Sequence, residues 1–311
     1  MSRYMQGLII QSIIVVIAVA GMFPMTGLTG MVSFGQAAFM AVGSYFMAII
    51  SAQLGVPLLL SCLLGVLACV VISLCIAVPT MKLRRDYFSL VSIGLNQAVN
   101  ALILTFSSIT GGAIGFSRIK RVDNLLWISL GIMVISVILI YNFKRSRFGR
   151  MSIAVKNDEL ASRSFGIKVY QLKIKNYVIG SIFAGIAGII YAFQTRIIDP
   201  SSFDWSMSSE LTLFTFFGGT NSLFGSTLSA AVLKLLPETL RNITIFGQSL
   251  QIYRVIIYAL LIIIIINFRP AGVFGEWEPT TENLKKLAHQ AGKAPGRIAG
   301  ALKKRGGNGN V

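Results

Sequence analysis

Eight stretches of this chain are apolar over close to the length a helix needs to cross a bilayer: 7–24, 35–54, 57–80, 87–106, 124–143, 176–194, 221–236 and 250–268. A full crossing takes about 20 residues, so the seventh is short. Between the fifth and sixth lies one long polar insert, 144–175, which reads KRSRFGRMSIAVKNDELASRSFGIKVYQLKIK. Two apolar regions are also broken from within. Pro24, Gly27, Gly30, Ser33 and Gly35 interrupt what would otherwise be one hydrophobic region from 7 to 54. Phe217-Gly218-Gly219-Thr220-Asn221-Ser222-Leu223-Phe224-Gly225 sits at the centre of 207–236. Irregular backbone at membrane depth is tolerated only where protein buries it or a polar cavity lines it. Paired Gly-interrupted segments in the two halves therefore point to a translocation path built from broken helices. Close helix packing through small residues is the competing account of the same glycines.

Polar side chains inside the runs narrow the route. Asn96, Gln97 and Asn100 interrupt the fourth run, with Asn96 and Asn100 on one helix face at a spacing of four. Buried amides cost free energy unless paired, so they should face protein or water rather than lipid. The flexible Thr110-Gly111-Gly112-Ala113-Ile114-Gly115 follows that run and should form the outer mouth. The candidates to line a path are thus Gly30, Ser33, Gly35, Asn96, Asn100, Gly111, Gly112, Gly218 and Gly219.

A composition 54% hydrophobic and 13% charged, with a mean hydropathy of +0.73, excludes an ordinary soluble domain, which carries about 25% charge. The expected class is an all-α polytopic membrane protein with about 8 transmembrane helices plus broken or re-entrant half-helices. The net charge of +17 is concentrated: nine Lys or Arg in the insert against only Asp158 and Glu159, and eight from Arg269 onward. The positive-inside bias places both clusters in the cytoplasm. Orientation and anionic head groups account for such clusters without any nucleic-acid partner. With the insert inside, 207–236 must enter and leave on the outer side, or else count as two passes. Arg118, Lys120 and Arg121 then fall outside, against the same bias. The expected organisation is a transmembrane domain over 1–276 carrying the loop 144–175, followed by a basic, disordered tail over 277–311. Arg3, the run Leu8–Val19 and Ala18-Val19-Ala20 resemble a cleavable signal, but a first span is the expected reading because many spans follow.

The absences matter as much. Cys62, Cys69 and Cys75 share one apolar run without metal or redox spacing, and should act as small buried hydrophobes. The sole histidine, His289, lies in the tail, so neither a histidine metal site nor a cofactor is expected. No phosphate-binding G-x-x-x-x-G-K-[ST] occurs. Glu210 and Glu238 lie near run ends, so neither stands out as a proton relay, and Lys234 should snorkel to an interface. If transport is active, its energy must enter through a contact with another protein, and the insert is the place for it.

Within the insert, Ser152–Phe165 can form one helix of about four turns, ending at Gly166, a plausible helix C-terminus. Asn157-Asp158-Glu159-Leu160-Ala161-Ser162, with Gly166, resembles the coupling-helix loop of bacterial ABC importer permeases, whose pattern is E-A-A, three residues, then G. Leu160 stands where the pattern has Glu, with the acidic Glu159 just before it. The likeness extends over about residues 25–276. Gly27-Leu28-Thr29-Gly30-Met31-Val32-Ser33-Phe34-Gly35-Gln36 followed by Gly43-Ser44-Tyr45, then Asp86-Tyr87-Phe88-Ser89-Leu90, Thr110-Gly111-Gly112, Phe217–Gly225 and Arg269-Pro270-Ala271-Gly272-Val273-Phe274-Gly275, are similar to landmarks of the high-affinity branched-chain amino acid permeases. Gln36 stands where that family usually has His, and joins the path candidates.

The resemblance implies an ABC importer permease fold in a bacterial cytoplasmic membrane. It also implies a transport subunit rather than an enzyme, with ATP hydrolysis in a partner. The implied partners are two ABC ATPase subunits, a second related permease and an extracytoplasmic solute-binding protein. Coupling to the ATPases would fall on Asp158, Glu159, Leu160, Ala161, Ser162 and Gly166. Leucine, isoleucine or valine is the favoured substrate, with urea or short amides as the alternative in related importers. A stand-alone channel or secondary carrier, with the insert only setting orientation, is the reading from a different class; a membrane-embedded enzyme lacks any visible reactive cluster.

Overall fold

A computed structural model describes residues 3–241, together with 244–245, 248–249, 260, 263, 272–273 and 275. Most of the eighth apolar run, and all of the tail 277–311, lie outside the described residues. The fold is helical: α1 (Arg3–Phe23), α2 (Gln36–Gln53), α3 (Leu58–Thr80), α4 (Arg85–Thr105), α5 (Ser107–Thr110), α6 (Leu125–Arg145), α7 (Arg147–Asn157), α8 (Glu159–Ser164), α9 (Val169–Thr195), α10 (Trp205–Gly218) and α11 (Leu223–Arg241). A two-residue hairpin, Thr244–Ile245 against Gln248–Ser249, follows. Among the described residues, five helices, with α1 counted through Leu28, are long and apolar enough to cross a membrane. This is a multi-pass membrane protein.

Burial sorts the spanning helices into a centre and a periphery. Over their most apolar windows α1 is 83% buried and α9 56%, whereas α3, α4 and α6 reach only 22%, 28% and 17%. The centre is tied by small residues, because without a hydrophobic drive between helices in lipid, close backbone packing has to hold them. A side chain at Gly43 of α2 would lie 2.6 Å from the Gly185 carbonyl of α9, and one at Gly188 would strike the Met40 carbonyl.

Each of the first seven apolar runs becomes a helix or half-helix, and both sequence breaks are real. After α1, Pro24–Leu28 forms a single π-helical turn, and regular structure resumes only at Gln36. The second break falls between Gly218 and Leu223. At 14 residues α10 is about 21 Å long, shorter than the ~30 Å hydrocarbon core. Helix directions follow from cross-contacts. Gln194, late in α9, donates to the Gly7 carbonyl at the start of α1 at 2.7 Å. Tyr170, early in α9, donates to Val78 near the end of α3 at 2.6 Å. The insert therefore marks one end of the bundle, and residues 7, 105–125 and 195–204 mark the other. The hairpin α10–α11 enters and leaves at the end opposite the insert. Arg118, Lys120 and Arg121 also lie at that opposite end.

Candidate coupling and translocation site

The expected single helix over Ser152–Phe165 is two helices, α7 and α8, with Asp158 extended between them (φ −149°, ψ 111°). The reason is local. Aspartate competes for backbone amides and favours caps over helix interiors, and here its Oδ1 accepts from Leu160 N at 2.8 Å and Ala161 N at 3.0 Å. The predicted stop at Gly166 holds: with φ +77°, it lets Gly166 N reach Arg163 O at 2.9 Å and Ile167 N reach Ser162 O at 3.1 Å, the paired bonds of a Schellman cap.

The two helices have opposite relations to the bundle. Helix α7 buries Gly149, Ser152 and Val155. Val155 packs with Val169 and Leu172 in a small core of its own, and Asn176 of α9 donates to Ser152 Oγ at 2.8 Å. Helix α8 buries only Ser162, and leaves Leu160 75% and neighbouring Phe165 85% exposed. Glu159 anchors it, meeting Arg163 at 2.6 Å and the buried Lys173 at 2.7 Å. Burial would raise the Glu159 carboxyl, but the hydrogen bonds and charges of Lys173 and Arg163 outweigh it and hold the group below its ordinary value. A cavity of about 340 Å³ beside α8 is lined by Arg147, Phe148, Phe165, Lys168 and Lys175 among others.

Sequence candidates for a path fall into two groups. Gly30, Ser33, Gly35 and Gln36 form the first break, whose backbone groups are paired by neighbours. Phe34 N donates to Ser92 Oγ at 2.9 Å, Ser89 Oγ to Val32 O at 2.9 Å, and Ala37 N to Ser208 Oγ at 2.8 Å. Gln36 Nε2 donates to Gly180 O at 3.2 Å. Gly218 and Gly219 close the second break, where a side chain at Gly218 would strike the Gly225 carbonyl and one at Gly272 would strike Gly219. Val273 N donates to Phe217 O at 2.9 Å, so two landmark motifs far apart in sequence meet at the insert end.

The remaining candidates lie toward the opposite end. Asn96 and Asn100 do share a face, in a buried stripe of α4 that also holds Phe88 and Ser92. Asn100 donates to Phe203 O at 3.3 Å. Asn96 is fully buried, and its side-chain nitrogen and oxygen have no partner among the described residues. Gly111 and Gly112, both at positive φ, shape the loop whose Phe116 pairs with Ile198.

Lys234 does not snorkel; it meets Glu210 across the α10–α11 hairpin at 3.1 Å, because a counter-charge sits opposite it on α10. Another charged side chain also holds the fold together. Arg85 Nη2 donates to Val155 O at 3.0 Å and Lys156 O at 2.7 Å, capping the last turn of α7. Local pattern carries no trace of the Arg85 contacts, since the partners are 70 and 71 residues away.

The sequence matches, over residues 4–265, the family described as branched-chain amino acid transport system / permease component. The chain belongs to this family. Among similar proteins, the high-affinity branched-chain amino acid transport system permease protein LivM of Salmonella typhimurium is 26% identical, covering 93% of this chain and 72% of its own. LivM of Escherichia coli is also 26% identical, covering 91% and 72%. A solved structure, PsaBC from Streptococcus pneumoniae in complex with Fab, covers 85% of this permease and 91% of its own chain at 14% identity and a TM-score of 0.44. The family match agrees with the resemblance read from Gly27–Gly35 and the later landmarks.

Proposed function

We propose that this permease forms the route for branched-chain amino acids in an importer driven by ATP hydrolysis in two associated ATPase subunits. A second related permease completes the path, and a solute-binding protein delivers substrate at the end opposite the insert. In this reading the loop 144–175 is cytoplasmic, 1–276 is the permease domain, and the basic tail 277–311 is cytoplasmic too. Asp158, Glu159, Leu160, Ala161, Ser162 and Gly166 dock the ATPase. Asn96 and Asn100, with Gly30, Ser33, Gly35, Gln36, Gly111, Gly112, Gly218 and Gly219, define the route and its two ends.

The observation that carries the reading is α8 itself. A six-residue helix, capped at both ends and pinned by a buried lysine, presents Leu160 and Phe165 outward. Two large apolar side chains held that firmly in the open suit burial in a partner's groove. Outside the bilayer they have no lipid to cover them.

The test is to reconstitute the permease with its genomic-neighbour ATPases, second permease and binding protein in liposomes, and to measure uptake of leucine, isoleucine and valine. Uptake should require ATP and the binding protein. Uptake that persists without the ATPases and collapses with the ion gradient would overturn the mechanism. Saturable, ATP-dependent uptake of urea or short amides in place of all three amino acids would overturn the substrate.

A further inference from the structure

The two helix breaks are not independent: both are held by lysines that flank α7. Lys156, in the last turn of α7, sends its ammonium to Gly27 O of the first break at 2.9 Å, and to Thr220 Oγ1 at 3.4 Å and Asn221 Oδ1 at 2.6 Å of the second. Lys144, just before α7, donates to Asn221 O at 2.6 Å and lies 5.3 Å from the centroid of the Phe23 ring, where α1 gives way to the first break. Lys156 thus touches both breaks, and Lys144 touches the second break and the residue that leads into the first. The breaks also meet directly: a side chain at Gly27 would come within 2.8 Å of Thr220 O. Gly30, at φ +70°, leaves room beside its Cα for Lys156 Cγ and the Arg85 guanidinium.

We propose that Lys144 and Lys156 are positioning residues that carry displacement of the docking helix α8 into both helix breaks at once, making α7 the strut between ATP-driven motion and the opening of the route. This rests on the docking role of α8 proposed above. The physical case has three parts. Helix α7 is joined to α8 by the single extended residue Asp158, so a push on α8 reaches the Lys156 turn with little slack. An ammonium is a compact charge on a flexible stem with several donors, so it can hold carbonyl and amide oxygens from two segments in one cluster. Those segments are the places where helical hydrogen bonding is already interrupted. They are therefore where the bundle can bend at least cost.

The test measures amino acid transported per ATP hydrolysed by the full reconstituted importer. K156M and K144M should assemble and hydrolyse ATP, yet lose at least about five-fold in transport per ATP, a coupling change of roughly 1 kcal/mol. K156R, which keeps the donors, should retain most of the ratio. N221A approaches the cluster from the opposite side and should lower the ratio as K156M does, even if a lysine variant fails to assemble. A merely structural role would lower uptake and hydrolysis in proportion, leaving the ratio at its wild-type value. That result in K156M, K144M or N221A would overturn the inference. If wild type itself shows no ATP-dependent uptake, the importer reading fails instead, a separable outcome.

Discussion

Helices α7 and α8 come from one uninterrupted polar stretch, yet the fold treats them in opposite ways. The first is fastened along one face and at its end: Gly149 and Val155 buried, Ser152 bonded to Asn176, its last carbonyls capped by Arg85, Lys156 reaching into both breaks. The second is joined to the bundle mainly through Glu159–Lys173 and buried Ser162, and turns its apolar side chains outward. In the proposed coupling, α8 would present a surface and α7 would transmit what happens to it. A loop that only set orientation would need the charges alone, with neither the anchoring of α7 nor the capping of α8.

The sharpest way to break the comparison is to spoil the presented surface while leaving the strut alone. Each of Leu160 and Phe165 stands to bury most of its apolar surface on docking, worth about 1.5 kcal/mol or more. Replacing both with Asp should therefore weaken ATPase association by at least about 100-fold. Expression and detergent stability should match wild type, since neither side chain contributes to the core. Co-purification of the ATPases at wild-type yield would show that α8 is not the docking element.

A smaller effect is expected from D158A. It removes the acceptor for Leu160 N and Ala161 N, and loss of an N-cap costs about 1 kcal/mol. The helix frays but Leu160 and Phe165 remain. Association should weaken by about five-fold, and D158N, which still caps, should recover most of it. Equal losses in D158A and D158N would assign the residue to direct contact rather than capping.

How far these roles were legible in the sequence depends on the range of the interaction. The Gly166 stop and both helix breaks could be read directly, because glycine and proline act on their own backbone. The shared face of Asn96 and Asn100 was equally plain, since helical spacing is local. The division at Asp158 could have been read but was not: Asn157-Asp158 is a cap signal, and the apolar residues on either side invited one continuous helix. The lysine contacts were illegible. Lys156 meets residues 64, 65 and 129 positions away, and nothing near it distinguishes it from the seven other basic residues of the insert that do not touch the breaks. Lys234 failed for the same reason: its partner Glu210 is on the neighbouring half-helix, 24 residues back.

The finest test of the contrast is pH, because the anchor of α8 contains a carboxyl that its neighbours hold below its ordinary value. Glu159 is held below its ordinary value despite partial burial, through Lys173 and Arg163. A carboxyl depressed in the folded state binds protons more readily once the fold opens, so its contribution to stability is complete above the usual value of 4.5 and fades as pH falls through the lower, folded value. The Arg163 arm is largely solvent-screened, its side chain being 62% exposed, whereas the Lys173 side chain is only 4% exposed and carries most of the effect. Wild type and E159Q should therefore differ in ATPase association near neutrality by a few-fold, about 1 kcal/mol or less. The difference should shrink only below pH 4.5, as wild type comes to resemble the variant. K173M should behave like E159Q at neutral pH and add little to it in the double variant, since each alone already breaks the same pair. A wild-type advantage that vanished between pH 6 and 8 would assign the titration to another group, and additive losses in the double variant would show that α8 is held by something other than this pair.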